Sequence, residues 1–288
     1  MGEQQYVLSQ TADAAERERL SLLEQTADPL SRRRLAALGI QPGWRCLEVG
    51  AGHGSIARWL AEQVGPQGRV VATDLNLRFL TEIELPNVEV RQHDICTDPL
   101  EPSTYDLAHC RAVLMHLPEP HLAVRRMVAA VRSGGWLLVE EPDVSSLRAV
   151  DATHPLAKLF DRLHREIPDR VVQAKLVNPY VGCRVRSLLE EAGLTEIGNE
   201  GRTLIARGGE PGARQQCMTF QALMERGLLS QTEYTALQSA FLDPSFSYTT
   251  PTVFAAWGKR ASSQRCARDR RPLAVLNERE RIQWGRGG

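Results

Sequence analysis

Lysine is almost missing from this chain: of 35 basic residues only Lys158, Lys175 and Lys259 are not arginine. Net formal charge is absent too, because the 35 acidic residues cancel the basic ones. The balance is uneven, since residues 259–288 hold nine Lys/Arg against three Asp/Glu, which leaves the rest of the chain mildly acidic. An acidic body is not built to neutralise many phosphates, so a nucleic-acid binder is not expected. The six cysteines (Cys46, Cys96, Cys110, Cys183, Cys217 and Cys266) form no C-x-x-C pair and the seven histidines no H-x-x-x-H pair. Buried thiols, and no structural metal, are the expectation. No apolar run approaches the ~20 residues of a membrane span. Met1 to Gln10 lacks the charged-then-apolar order of a secretory leader, and Tyr6 stands where a myristoylation signal wants Ser or Thr. A cytoplasmic protein without a membrane span is expected.

What is present is the composition of a folded domain, 42% hydrophobic and 24% charged, at a length of 288 residues that suits one α/β core with a cap. Residues 1–40 read as an N-terminal helical lid: a helix from Ala12 to Thr26, and a second from Pro29 to Leu38 with Asp28 as N-cap and Gly39 as stop. Short apolar runs then alternate with helical stretches. Strands are expected at Arg45–Val49, Arg69–Thr73, Val88–Gln92, Tyr105–Cys110 and Trp136–Glu140, and later at Thr195–Gly198 and Thr252–Gly258. Near-continuous apolar strands separated by helices imply a mostly parallel sheet covered on both faces. Two stretches break the alternation, 142–180 and 208–247, and read as caps over the core domain of 41–260; residues 261–288 read as a flexible Arg-rich tail.

The chemistry concentrates in Glu48-Val49-Gly50-Ala51-Gly52-His53-Gly54, where the first strand runs through three alternating glycines into a helix. Glycine permits a tight turn and close backbone approach, and the helix N-terminus offers free N–H groups to an anion. Asp74 ends the second strand 20 residues beyond Gly54, placed to accept two ribose hydroxyls. Loop and acid together fit either a nicotinamide or an adenosyl cofactor. Discrimination comes from Gln92-His93-Asp94-Ile95, where an acid can accept from an adenine amino group and an aliphatic side chain can cover the ring. Two further stretches add to it: Arg111-Ala112-Val113-Leu114-Met115-His116 after the fourth strand, and Ser133-Gly134-Gly135-Trp136 before the fifth.

With these motifs in this order the sequence resembles class I S-adenosylmethionine-dependent methyltransferases of the ubiquinone/menaquinone-biosynthesis-like group, strongly over residues 6–141 and again at residues 182–194 and 254–258. The resemblance implies a seven-stranded Rossmann-like α/β sheet whose last strand is antiparallel. It implies S-adenosyl-L-methionine on Glu48, Gly50, Gly52 and Gly54, with Asp74 and Leu75 at the ribose, Asp94 and Ile95 at the adenine, Arg111 beside the methionine moiety and Tyr6 closing from the lid. Glu48 replaces the aspartate many members carry; it would suit the cofactor's ammonium or hold the loop through backbone N–H groups. A small-molecule acceptor is implied, in secondary metabolism or quinone-like biosynthesis, and a homodimer is compatible.

His116, at the carboxyl edge where ligands of open sheets collect, is the first candidate for a general base. Glu140, Glu141 and Asp143 form a second set, and His154 and His164 lie in the first cap segment. Two other functions remain open at this level: a cofactor-binding relative acting as a cyclase or non-catalytic module, and an NAD-dependent oxidoreductase.

Overall fold

The computed structural model describes residues 13–262. It opens with α1 (Asp13–Ala37), followed by β1 (Arg45–Val49), α2 (Ser55–Val64), β2 (Arg69–Asp74), β3 (Val88–Gln92), β4 (Tyr105–Arg111), α3 (Pro120–Ala130) and β5 (Val131–Asp143). Next come β6 (Arg148–Ala149), α4 (Ala157–Gln173), α5 (Val185–Glu191), β7 (Leu194–Arg202) and β8 (Ile205–Arg207). The chain then forms α6 (Pro211–Glu225), α7 (Gln231–Leu242), β9 (Ser247–Thr249) and β10 (Thr252–Arg260).

The main sheet has seven strands in the order β3-β2-β1-β4-β5-β10-β7. β1 to β5 pair in parallel, whereas β10, the last strand among the described residues, runs antiparallel to both neighbours. Strand order reverses between β1 and β4, which opens a crevice at their carboxyl ends, the place where open α/β sheets bind ligands. Period-two alternation divides the central strands between two buried layers. Leu47, Val49, Ala108, Cys110, Leu137 and Val139 pack on one face. Cys46, Leu107, Leu138 and Ala255 pack on the other, with Leu35 of α1 among them.

The lid differs from the expectation of two helices. α1 is a single helix of 25 residues with Pro29 inside it. Proline in a helix interior removes one backbone bond at a cost of roughly 3 kcal/mol, but side chains on either side of Pro29 are fastened to the rest of the fold. Asp28 does not cap a new helix: its carboxylate takes Ser55 Oγ at 3.1 Å and Arg111 Nη2 at 2.9 Å. Gly39 does end the segment, with a left-handed φ of 76° and its N–H on Ala36 O.

Residues 142–180 and 208–247 meet around a small sheet of order β6-β9-β8, of which β8 and most of β9 lie just outside those two stretches. Their shared core is aromatic: Phe160, Phe220, Phe241, Phe246 and Tyr248 are all buried, with Phe220 and Phe241 stacked at 5.7 Å. His164 lies inside this cluster and away from the rim. Its ring sits 4.0 Å from that of Phe160, its Nδ1 is 2.9 Å from Phe160 O, and its buried Nε2 has no hydrogen-bond partner. Burial lowers its pKa to about 4, outweighing the Phe160 carbonyl and the Asp161 carboxylate, which favour the charged ring.

A group neutral in the fold and protonated when unfolded weakens the fold in acid. His164 therefore leaves stability intact above its ordinary pKa of 6.5 and erodes it as pH falls toward 4. By about pH 5 the erosion reaches roughly 2 kcal/mol. Urea denaturation of His164→Phe should show a difference between pH 7.5 and pH 5 smaller than wild type by about that amount; the same difference in both proteins would show that His164 does not titrate on unfolding.

Candidate active site

The glycine loop owes its shape to backbone that only glycine adopts at low cost. Gly50, Gly52 and Gly54 have φ of 69°, 58° and 87°, and Gly54 supplies the left-handed N-cap of α2. Space is as restrictive as conformation: a Cβ on Gly50 would lie 2.3 Å from a Val113 methyl, and one on Gly54 2.6 Å from Ile83 Cδ1. Gly52 differs, since its nearest neighbour would be Leu20 Cδ2 at 3.7 Å. The turn is thus wedged at both ends and open in the middle.

That middle is joined to the next strand. Gly52 N–H donates to Asp74 Oδ2 at 2.9 Å, Asn76 N–H donates to Asp74 Oδ1 at 3.1 Å, and Ala51 N–H donates to Thr73 O at 2.9 Å. Burial raises the pKa of Asp74, against the pull of these N–H groups, which favour the carboxylate. Each oxygen keeps acceptor capacity for one more donor. Leu75 follows, 48% exposed. On the far side His93 N–H donates to Asp74 O at 3.0 Å, so Asp94 stands beside Asp74 on one rim. Asp94 Oδ1 accepts Cys96 N–H at 2.7 Å. Ile95 is buried in the core layer, and its carbonyl accepts from Arg126.

α1 crosses over this loop. His53, between the second and third glycines, is flanked by Arg17 (3.2 Å) and Glu24 (3.2 Å), while Arg17 also pairs with Glu82 and lies 4.7 Å over the Phe79 ring. Tyr6 lies outside the described residues.

After β4 the chain makes a strained turn. Ala112 has a left-handed φ of 53°, a conformation uncommon outside glycine. Two contacts hold it. Ala112 N–H donates to Glu140 O at 2.9 Å, and the buried Glu141 carboxylate accepts the N–H groups of Val113 (2.8 Å), Leu114 (2.7 Å) and Met115 (3.2 Å). Burial pushes the Glu141 pKa up to about 7 in spite of those donors. Glu141 thereby shapes the turn that carries His116. Burial and the nearby Arg19 guanidinium lower His116 to about 4, so its ring is neutral at neutral pH.

The remaining acids are engaged. Burial would raise Glu140, but His109, Arg34 and Ser31 outweigh it and hold its pKa at about 2. Asp143 Oδ1 accepts Ser145 N–H at 3.0 Å, and His154 sits 3.6 Å from Asp243. Glu48, expected in the cofactor loop, and Arg111, expected beside the methionine moiety, are both engaged by other protein groups. Glu48 shares the sheet face of Cys46, and its Oε2 lies 2.7 Å from Nδ1 of the buried His109, not on loop N–H groups. Arg111 gives its guanidinium to Asp28 and Ser31 of α1, each at 2.9 Å. His109 was missed by sequence reasoning. Its one signal is a histidine set among the apolar residues Leu107, Ala108 and Cys110 of β4, where it falls in register with Glu48. An open cleft of about 580 Å³ lies at the same carboxyl edge, lined by Asp143, Ser145, Tyr180, Cys183 and Phe254 among others.

Comparison with known proteins agrees with this architecture. A family model described as a methyltransferase domain matches residues 15–197, from α1 into β7. Methyltransferase str2 of Strobilurus tenacellus is 28% identical over 187 residues, covering 64% of this chain and 65% of that protein. A ubiquinone/menaquinone biosynthesis C-methyltransferase of Ectopseudomonas mendocina is 32% identical over 111 residues, 36% of this chain and 43% of that one. Among solved structures, a Bacillus halodurans protein provisionally assigned as a methyltransferase aligns with a TM-score of 0.51 at 18% identity, covering 80% of this chain and 98% of that one, a likeness of fold. The chain spans 45% to 65% of the length of the first curated relatives it matches.

The wedge at Gly50 can be separated from its φ. Alanine at a left-handed position costs roughly 1–2 kcal/mol, and forcing a methyl into a filled space costs about 1–3 kcal/mol more. Gly50→Ala should therefore lose clearly more stability in urea than Gly39→Ala, where φ is 76° but a Cβ would meet nothing within 4 Å. Adding Val113→Ala should recover part of the loss. Equal losses at the two glycines would mean that Val113 does not constrain the loop.

Proposed function

Because the chain belongs to the methyltransferase-domain family, we propose that it transfers the methyl group of S-adenosylmethionine to a small-molecule acceptor. The observation that carries this reading is the single rim made by the glycine turn, Asp74 and Asp94, tied together by the Gly52–Asp74 and His93–Asp74 hydrogen bonds.

The residues suit the cofactor. Open backbone at Gly52 and the N-terminus of α2 suit the carboxylate of its amino-acid end. Asp74 has acceptor capacity for the ribose hydroxyls, half-exposed Leu75 offers an apolar surface beside them, and Asp94 can accept from the adenine amino group. When bound, the sulfonium supplies an already activated methyl group, so the protein's main task is alignment at roughly 3–3.5 Å. Bound at this rim, the cofactor would supply the methyl group and keep the electron pair of the broken C–S bond, and an acceptor whose nucleophile is a hydroxyl or an acidic carbon would give up a proton. His116, unprotonated at neutral pH, is our candidate to take it. Glu141 fixes the turn beneath it. The cleft by Asp143 and Phe254 has the volume of a small-molecule site. The similarity to ubiquinone/menaquinone biosynthesis methyltransferases supports an acceptor of quinone-like chemistry.

Calorimetry should detect S-adenosylmethionine and not NAD. Asp74→Ala should weaken that binding roughly 10- to 100-fold, the worth of one or two charge-assisted hydrogen bonds. His116→Ala should leave affinity near wild type and lower turnover of a methyl-labelled cofactor by about 10²- to 10⁴-fold. Tight NAD binding, or an Asp74→Ala protein with wild-type affinity, would overturn the reading. Full turnover in His116→Ala would remove that residue from the chemistry.

A further inference from the structure

Beneath the glycine loop, on the sheet face covered by α1, lies a row of charge that the reading above does not use. Glu48 of β1 is in register with His109 of β4; the ring's Nδ1 is 2.7 Å from Glu48 Oε2 and its Nε2 3.4 Å from Glu140 Oε2 of β5. Glu140 also accepts from Ser31 Oγ and, at 2.7 Å, from Arg34 Nη1, both on α1. Arg34 continues to Glu200 of β7 at 2.6 Å, across the small side chain of Ala255. Ser31 accepts from Arg111, which joins Asp28, and Asp28 accepts from Ser55 at the start of α2.

The buried part of this row holds three carboxylates, Glu48, Glu140 and Asp28, with the buried Arg34 on Glu140 and the partly exposed Arg111 and Arg32 on Asp28. A proton on His109 places a positive charge between two of those carboxylates, Glu48 and Glu140. The charged groups facing the ring are Glu48 from β1, Glu140 from β5 and, behind Glu140, Arg34 from α1. Burial disfavours the charged ring, yet the two glutamates prevail and lift its pKa to about 9.

α1 touches the glycine loop from above as well, through Leu20 beside Gly52 and through Arg17 and Glu24 on His53. The helix seated by the charge row is therefore the helix that closes the loop. We propose that protonated His109 is a positioning residue: it seats α1 on the sheet and so holds the glycine loop closed, and loss of its proton loosens the helix and weakens cofactor binding. The second half of this inference rests on the methyltransferase reading; the first half does not.

The ring's charge is present well below its raised pKa and is lost as pH rises through about 9. Hydrogen exchange of the α1 amides, corrected for the intrinsic rise with pH, should accelerate about tenfold or more between pH 7 and pH 10 in wild type. In His109→Gln it should be fast already at pH 7 and flat thereafter. Affinity for S-adenosylmethionine should fall about tenfold over the same range in wild type and be low and flat in the variant. Nitrogen-15 shifts of the His109 ring at pH 8 provide a readout on wild type alone, should His109→Gln fail to fold, and should be those of an imidazolium. A neutral ring at pH 8, or α1 exchange with no corrected change up to pH 10, would overturn the proposal. Wild type that shows the α1 transition but binds no S-adenosylmethionine at pH 7 would support the seating role, overturn the link to cofactor binding and sink the functional reading with it.

Discussion

The hydrogen bond from Gly52 N–H to Asp74 is the contact on which the rest of the site depends. It joins the turn after β1 to the end of β2, and through the His93–Asp74 bond the end of β3 is joined as well. Three strands thus present their carboxyl ends as one surface. The glycines make it possible: any side chain at Gly50 would meet Val113, which belongs to the turn bearing His116. The glycine turn and the turn that carries His116 are consequently packed against each other rather than merely adjacent. Glu141 keeps the second side in shape, a buried acid used as a bracket for three backbone N–H groups.

The same strands carry a different task on their other face. Burying carboxylates beneath a sheet is expensive unless each is paired, and here each has a partner: Glu48 the His109 ring, Glu140 that ring with Arg34 and Ser31, and Asp28 the guanidinium of Arg111. Such an arrangement gives α1 one seat. A helix docked by apolar contacts alone could slide along the sheet, whereas these partners fix both its position and its rotation. That explains how a proline in mid-helix is tolerated: the fastening of Asp28, Ser31 and Arg34 offsets the bond Pro29 cannot make.

Much of this was legible in the sequence, and for identifiable reasons. β1, β2, β3 and β4 fall within one residue of their apolar runs; Gly50 marks the end of β1, and Gly68 and Asp74 mark the ends of β2. Asp74 and Asp94 could be paired before any coordinates, since each ends such a run. What was hidden depends on contacts distant in sequence. Pro29 reads locally as a helix start, and only Glu140 and Arg111, about a hundred residues on, overrule it. Glu48 reads as a loop-holder because it precedes the glycines, yet alternation turns it to the opposite face, toward His109. The cap sheet is built from strands of two and three residues, too short to show a period.

A crystal structure with S-adenosylhomocysteine tests the central claim most directly. The account predicts ribose hydroxyls on Asp74, the adenine amino group at Asp94 and the ligand's carboxylate over Gly52 at the start of α2. A nucleoside bound away from that rim, with Asp74 and Asp94 contacting no part of it, would contradict the account.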